Sequence, residues 1–349
     1  MGAEAEHPQQ QPPSSLRPGR EAAAAAPAVL GLQLSALIDH VARVDWSLLD
    51  RVPGDRGGSQ QVSIEELNHI LTEVNAHILP SRNDLTPITT IAGGSVANTI
   101  RGLSAGFGIS TGIIGACGDD NQGVLFVNNM SFSGVDLTRL RAKKGHTAQW
   151  LVVRYAQQNM EQIIEAIRIA KQEGLSVSLD LASFEMVRDS RLKLINLLET
   201  GNIDLCFANE DEAREVIGGG PASDPEEALA FLGKYCKWAV VTLASKGCMA
   251  KHGKQVNFNS GRIVNCTVVQ VPATGESNAV DTTGAGDLFA SGFLYGLVKG
   301  LPLEECCKVG ACSGGSVTRA LGGEVRPENW QWMYKQMHAR GLLLPELKN

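Results

Sequence analysis

The chain has 349 residues, 43% of them hydrophobic, and a formal net charge of -6 with an isoelectric point near 5.7. That length accommodates one large α/β domain or two smaller ones. The acidic balance and the lack of any Lys/Arg-rich run argue against nucleic acid or an anionic membrane surface as a partner, and no apolar stretch reaches the ~18–20 residues that a bilayer span requires.

Residues 1–27 are dominated by Pro, Gln, Ser and Ala and contain no apolar signal core, so they read as a disordered tail. Glu4, Glu6 and Glu21 argue against a transit peptide, which is poor in acids. The cytoplasm is the expected compartment, with a plastid less favoured. One folded domain is expected over 28–340, with a short tail at 341–349. Eight scattered cysteines without a CxxC pair read as reduced core residues, not as a disulfide framework or a zinc site.

The clearest structural unit runs from residue 150 to residue 181. A β-rich run, Trp150 to Tyr155, leads into a helix whose apolar positions Met160, Ile163, Ile164, Ile167 and Ala170 recur at a period of 3.6. Gly174 suits the residue just past the helix end. A second buried strand follows from Leu175 to Leu181. This is a βαβ unit, and such units in series give a parallel sheet with helices on both faces. The pattern repeats: a helix near Leu192 to Leu198 precedes the strand IDLCFA, and one through Ala228 to Tyr235 precedes WAVVTLA. Open sheets of this kind bind ligands beyond the carboxyl ends of their strands, which directs attention to NEDE after the first of these strands and ASKG after the second.

The stretch VDTTGAGDLFASGF, residues 280–293, opens another helix, since Leu288, Phe289, Phe293, Leu294, Leu297 and Val298 have helical spacing. The first N–H groups of a helix have no intrahelical acceptor, and the peptide dipoles add partial positive charge there. Glycines before the start let an anion approach the main chain. Such a pocket suits a phosphoryl group, and Asp287 beside it could take the proton of an attacking hydroxyl. On this stretch alone, a tight turn with a dipole-complementing acid explains the residues equally well.

The wider sequence carries further motifs. DTTGAGDLFASGFLYGL (281–297) resembles the C-terminal signature of the PfkB family, the ribokinase-like sugar and nucleoside kinases. IAGGSVANTIRGLSAGFG (91–108) resembles that family's N-terminal glycine pair and asparagine, GACGDDNQG (115–123) its G-D-D-x-x-G turn, and ANEDEA (208–213) its N-x-x-E motif. The likeness runs from about residue 29 to about residue 338 and is greatest to plant members described as adenosine-kinase-like. It implies a ribokinase-like α/β fold: a central, mostly parallel sheet flanked by helices on both faces, with a small β lid. It implies ATP- and Mg²⁺-dependent phosphoryl transfer to a primary hydroxyl of a nucleoside or a sugar, with K⁺ as an open addition, in a monomer or homodimer. By the same resemblance Asp287 is the catalytic base, and Gly284, Ala285 and Gly286 form the anion hole. Asp39, Gly93, Gly94 and Asn98 hold substrate. Asn209, Thr242 and Gly247 serve the nucleotide, and Glu212, with Asn209, organises Mg²⁺ through water. Asp39 also reads as an ordinary acid at the end of a first strand, SALIDH, and Asn209 to Glu212 as a plain capped helix start. The nucleotide loop reads TLASKG, with Ala244 where the family has glycine, and the small residues of VGACSGGSV (309–317) fall where the family packs adenine.

Two departures from the family pattern stand out. Gln149 runs straight into Trp150 where roughly 30 residues of lid and connecting helix are expected, so that GHTAQWLVVRYAQ reads as one fused strand and the lid as incomplete. NFNSGRIVNCTVVQ (257–270) reads as an inserted surface hairpin. One deletion and one insertion suggest the product of a variant transcript or gene model. They also keep open a non-catalytic, nucleotide-binding role.

Overall fold

Continuous apolar runs need burial on both faces, and here they line up as neighbours in one sheet. The structure, a computed structural model, describes residues 27–53, 62–79, 88–118, 120–137, 149–220, 224–253, 268–275 and 279–346. Its strands are β1 (Val29–Ser35), β2 (Leu37–Ala42), β3 (Ile88–Gly93), β4 (Thr111–Ala116), β5 (Trp150–Arg154), β6 (Ser176–Asp180), β7 (Leu205–Asn209), β8 (Trp238–Thr242), β9 (Cys248–His252) and β10 (Val268–Val271). Eight of them form a sheet in the order β10-β9-β8-β7-β6-β5-β1-β4, while β2 and β3 pair separately. Every neighbouring pair from β4 to β8 is parallel, while β9 runs antiparallel to both of its neighbours, β8 and β10. The β2–β3 pair is antiparallel and is the small two-stranded sheet.

Two apolar layers cover the main sheet. The helices Met160–Gln172, Phe184–Glu199, Glu210–Ile217 and Pro225–Tyr235 bury their stripes on one face. The helices Ser95–Phe107, Asn121–Phe132, Ala285–Val298, Leu303–Val317 and Pro327–Ala339 cover the other. On that second face Phe107 stacks on Tyr295 with ring centroids 4.8 Å apart. Leu342, in the expected C-terminal tail, is buried in the same layer. No helix among the described residues is long and apolar enough to cross a membrane. Cys206, Cys236, Cys248, Cys306, Cys307 and Cys312 are free and buried.

The βαβ unit forms as its spacing predicts. Its helix spans Met160–Gln172, and Gly174 follows with φ +80°. The helix Ile64–Ala76 escaped the sequence reading although its start was legible. Ser63 and Glu66 cap it reciprocally, the S-x-x-E pattern that satisfies two otherwise unpaired donors.

Four local expectations change. The first strand ends at Ser35, and Asp39 lies inside β2, opposite Ile91 of β3, not at a strand end. Next, the segment around Trp150 does not continue as one strand. Tyr155 takes a left-handed conformation, φ +52°, and a 3-10 turn, Ala156–Asn159, follows; residues 138–148 of that segment lie outside the described residues. Third, Val268–Gln270 of the supposed insert belong to β10, the edge of the main sheet hydrogen-bonded to β9; 254–267 lie outside the described residues. Fourth, VGACSGGSV is buried along its whole length. Its Gly310 and Gly314 receive the Phe289 side of the helix Ala285–Val298, so the small residues serve close helix packing.

Three non-glycine residues among those described have positive φ: Tyr155, Ala182 and Ala244 at +52°, +70° and +49°. Each follows, within two residues, the carboxyl end of a parallel strand, β5, β6 or β8. Non-glycine backbone in this region is strained, and such strain concentrates at functional sites. Ala244→Gly is expected to stabilise the protein by about 0.5–1 kcal/mol. It relieves a left-handed cost of ~1–2 kcal/mol and adds ~0.5–1 kcal/mol of glycine freedom in the unfolded chain. Gly247→Ala should do the reverse by more than about 2 kcal/mol, since Gly247 has φ +98° and a Cβ there would strike the Val271 carbonyl and the Ala273 amide. Equilibrium urea unfolding of both variants reads the two signs.

Candidate active site

Strand register assembles one wall of the site. Arg154 of β5 pairs with Asp180 of β6, and Asn209 of β7 pairs with Thr242 of β8. These are the last residues of their strands, so four polar side chains that close four apolar runs stand along the carboxyl edge of the sheet. They line one cleft with Glu212 and Gly286.

The opposite wall is the start of the helix Ala285–Val298. Gly284 precedes it with φ +76°, and a Cβ there would also crowd the Gly323 backbone. Gly286 is needed for another reason. A Cβ on it would meet nothing within 4 Å, so glycine here keeps the helix mouth open to the cleft. Asp281 fixes the turn: its Oδ1 accepts from the Thr283 amide at 2.9 Å and hydroxyl at 2.8 Å, and its Oδ2 accepts from the Gly322 amide at 2.8 Å.

Asp287 lies in the first helical turn and is only 5% exposed. Its Oδ2 accepts from Asn98 Nδ2 at 2.9 Å, and its Oδ1 accepts from Arg154 in an ion pair. The other Asn98 amide atom, Oδ1, accepts from Arg101 at 2.6 Å. Arg101 is itself buried and donates to the Ala92 carbonyl at 2.9 Å and to Asn129 Oδ1 at 2.7 Å. This arrangement fixes which way the Asn98 amide faces and holds the Asp287 carboxylate. Asn98, expected at the substrate, has both polar side-chain atoms engaged in positioning the acid.

The Gly93-Gly94 pair has specific causes too. A Cβ on Gly93 would fall on the Asp39 carboxylate, and one on Gly94, where φ is +92°, would fall on the Gln33 amide. Gln33 Oε1 accepts from the Ala97 amide at 2.9 Å and so occupies an N-terminal donor of the helix Ser95–Phe107. Asp39 is brought near the site: burial raises its pKa first, and the charge of Asp287 raises it further.

Asn209 and Glu212 form a capping box. The Asn209 side chain accepts from the Asp211 amide at 3.0 Å and the Glu212 amide at 2.8 Å, and Glu212 accepts from the Asn209 amide and Nδ2, both at 2.8 Å. Glu212 is 3% exposed, and burial, with the neighbouring Asp180, pushes its pKa up to about 8. Asp180 is likewise raised by burial, to about 6, although Arg154 lies 3.0 Å away and opposes the shift. Burial disfavours the Arg154 cation, and the carboxylates of Asp180 and Asp287 more than reverse this.

Among the described residues no cluster of three or more His, Cys, Asp or Glu side chains forms a metal cage. The Asn209 and Glu212 oxygens expected to reach Mg²⁺ through water are the ones that accept hydrogen bonds within the capping box. Arg154, Asp180, Arg101 and Gln33 were not among the residues expected from sequence. Arg154 and Asp180 had a signal, a charge closing an apolar run, in WLVVR and SVSLD. Gln33 and Arg101 had none that spacing reveals.

The family model described as pfkB family carbohydrate kinase matches residues 163–329. Ribokinase of Haemophilus influenzae is 27% identical over 252 residues, 66% of this chain and 74% of that enzyme. Cytidine kinase of Thermococcus kodakarensis is 36% identical over 109 residues, 31% of this chain and 34% of that enzyme. The crystal structure of adenosine kinase from Sinorhizobium meliloti superposes with a TM-score of 0.74 at 24% identity, covering 91% of this chain and 99% of that one, a likeness of fold. By these findings the chain is similar to the PfkB/ribokinase-like carbohydrate and nucleoside kinases, which are phosphotransferases with an alcohol acceptor, and its fold is the ribokinase-like one.

Glu212 gives the site a stability signature. A carboxyl whose folded pKa lies above its ordinary 4.5 stabilises the fold fully below that ordinary value and progressively less as pH rises through about 8. Metal-free protein should therefore lose unfolding free energy across this window, and Glu212→Gln should flatten the loss. Urea titrations at a series of pH values read the slope.

Proposed function

We propose that this chain moves the γ-phosphoryl group of ATP to a primary hydroxymethyl group of a nucleoside or sugar, with a purine nucleoside favoured. The observation that carries the reading is Asp287. It is a buried carboxylate in the first turn of a helix whose mouth is kept clear by Gly286, and it pairs with Arg154, which lines a cleft together with Asp180, Asn209, Thr242 and Gly286.

In this reading the backbone of Gly284, Ala285 and Gly286 presents N–H groups to the phosphoryl group in flight, with the helix dipole adding positive potential. Asp287 takes the hydroxyl proton, and Asn98, locked by Arg101, keeps the carboxylate aimed. Asp39, held against Gly93, accepts from sugar hydroxyls. Thr242 and the Gly247 turn receive the nucleotide, and Mg²⁺, when bound, neutralises phosphate charge. Positioning and preorganised charge supply most of the rate enhancement.

The free-sugar alternative draws its support from the ribokinase alignment, which spans 74% of that enzyme. The direct passage from Gln149 into β5 supports reading this chain as a variant of a plant adenosine-kinase-like protein that lacks part of its lid, in keeping with the two strands of the small sheet among the described residues. A non-catalytic nucleotide-binding role is the corresponding alternative for such a variant. The compartment proposed is the cytoplasm.

Asp287→Asn is expected to leave ATP binding within a few-fold and to lower turnover by about 10³-fold or more. Calorimetric ATP binding and product formation over a panel of adenosine, cytidine, ribose and fructose, on one preparation, test this. Near-normal turnover in the variant refutes the role of Asp287. ATP binding without turnover by the wild type on any acceptor favours the non-catalytic reading.

A further inference from the structure

Among the described residues lining the cleft, Arg154 is the only base. Its side chain is 9% exposed. One terminal nitrogen donates to Asp287 Oδ1, and the other lies 3.0 Å from Asp180 Oδ1. Its Nε is buried and has no hydrogen-bond partner among the described residues. A guanidinium carries five N–H donors in a planar fork suited to phosphate as well as carboxylate, and two carboxylates do not exhaust them.

The two donors on Asp287 are unequal. Asn98 is fixed from behind by Arg101, which is tied in turn to Asn129 and the Ala92 carbonyl. Arg154 is anchored to Asp180, its register partner on the next strand, and this second attachment survives if Asp287 is released. The oxygen that Arg154 occupies belongs to the carboxylate that must take a proton. The helix mouth where the phosphoryl group would arrive begins one residue before that carboxylate, at Gly286.

Resting on the kinase reading above, we infer that Arg154 exchanges Asp287 for the terminal phosphoryl group of a bound nucleoside triphosphate, pivoting on Asp180, and is a catalytic residue. The exchange uncovers Asp287 Oδ1 and carries positive charge to the group being transferred. The acceptor oxygen forms its bond to the γ-phosphorus as the bond from that phosphorus to the bridging oxygen breaks. The hydroxyl proton passes to Asp287, the diphosphate leaves with the bridging oxygen, and Arg154 keeps all its protons.

The test uses the full chain with Mg²⁺, calorimetric binding of ADP and of a non-hydrolysable ATP analogue, and turnover over the acceptor panel. Arg154→Gln should weaken the triphosphate analogue by about 10-fold or more while changing ADP affinity less than about 3-fold. It should lower kcat by about 10²–10³-fold with little change in acceptor KM. Arg154→Lys should restore part of the triphosphate preference and little of kcat, since an ammonium ion supplies charge without the fork. Equal weakening of both nucleotides, or an unchanged preference, overturns the inference and leaves Arg154 a strut. If Arg154→Gln does not fold by circular dichroism, Asp180→Asn, which removes the charged pivot, should reduce the triphosphate preference, and an unchanged preference overturns the inference. A wild type that binds neither nucleotide overturns the kinase reading and this inference together. A wild type that binds and turns over, beside an Arg154→Gln variant with full triphosphate preference, overturns this inference alone.

Discussion

Three buried carboxylates, Asp180, Glu212 and Asp287, surround one guanidinium at the edge of a sheet. Taking a charge out of water costs several kcal/mol per ion even after relaxation, so this arrangement persists only if each group meets partners at set distances. The parallel register supplies them. It puts Arg154 beside Asp180 without any side chain having to search, and the helix Ala285–Val298 delivers Asp287 from the other side. Burial first, and then repulsion among acids that one cation does not neutralise, raises the pKa values of Asp180 and Glu212. The site is held together by an electrostatic compromise, and an incoming phosphate or a cation shifts that compromise directly.

The surrounding backbone is built to hold this geometry. Left-handed residues end β5 at Tyr155 and follow β6 and β8 at Ala182 and Ala244, so the chain turns sharply just past the groups that matter. Elsewhere glycine carries the turns that side chains could not. Gly284 sets up the helix mouth, and Gly93 and Gly94 make space for Asp39 and Gln33. The strain at the three non-glycine positions is sustained by the two apolar layers on the sheet, which leave the strand ends little freedom.

The helix pair Ala285–Val298 and Leu303–Val317 joins core to site. Gly292 of the first approaches the Val309 and Gly310 backbone, and Gly310 and Gly314 of the second receive Phe289. Close packing of this kind fixes the axis of the helix whose first turn carries Asp287. Small residues that look in sequence like room for a ligand ring are here the means of placing a carboxylate.

Much of the organisation was legible in the sequence. The 3.6 periodicity of Met160, Ile163, Ile167 and Ala170 and the apolar runs around it specify the βαβ unit, because burial of a continuous stripe has few solutions. GAGD and its helical continuation specify a helix mouth beside an acid, because capping and dipole effects act within one turn. The NEDE segment specifies the capping box that forms from Asn209 and Glu212, for the same local reason. Tertiary structure alone decided which distant groups meet Asp287. Asn98 and Arg154 are brought to it by sheet register and helix packing across long stretches of chain, and no local preference encodes that meeting. Likewise Asp39 sits inside a strand and not at its end, and the glycines of Leu303–Val317 face a neighbouring helix. Both outcomes depend on which element lies opposite, which is a property of the packed chain and not of any short stretch of it.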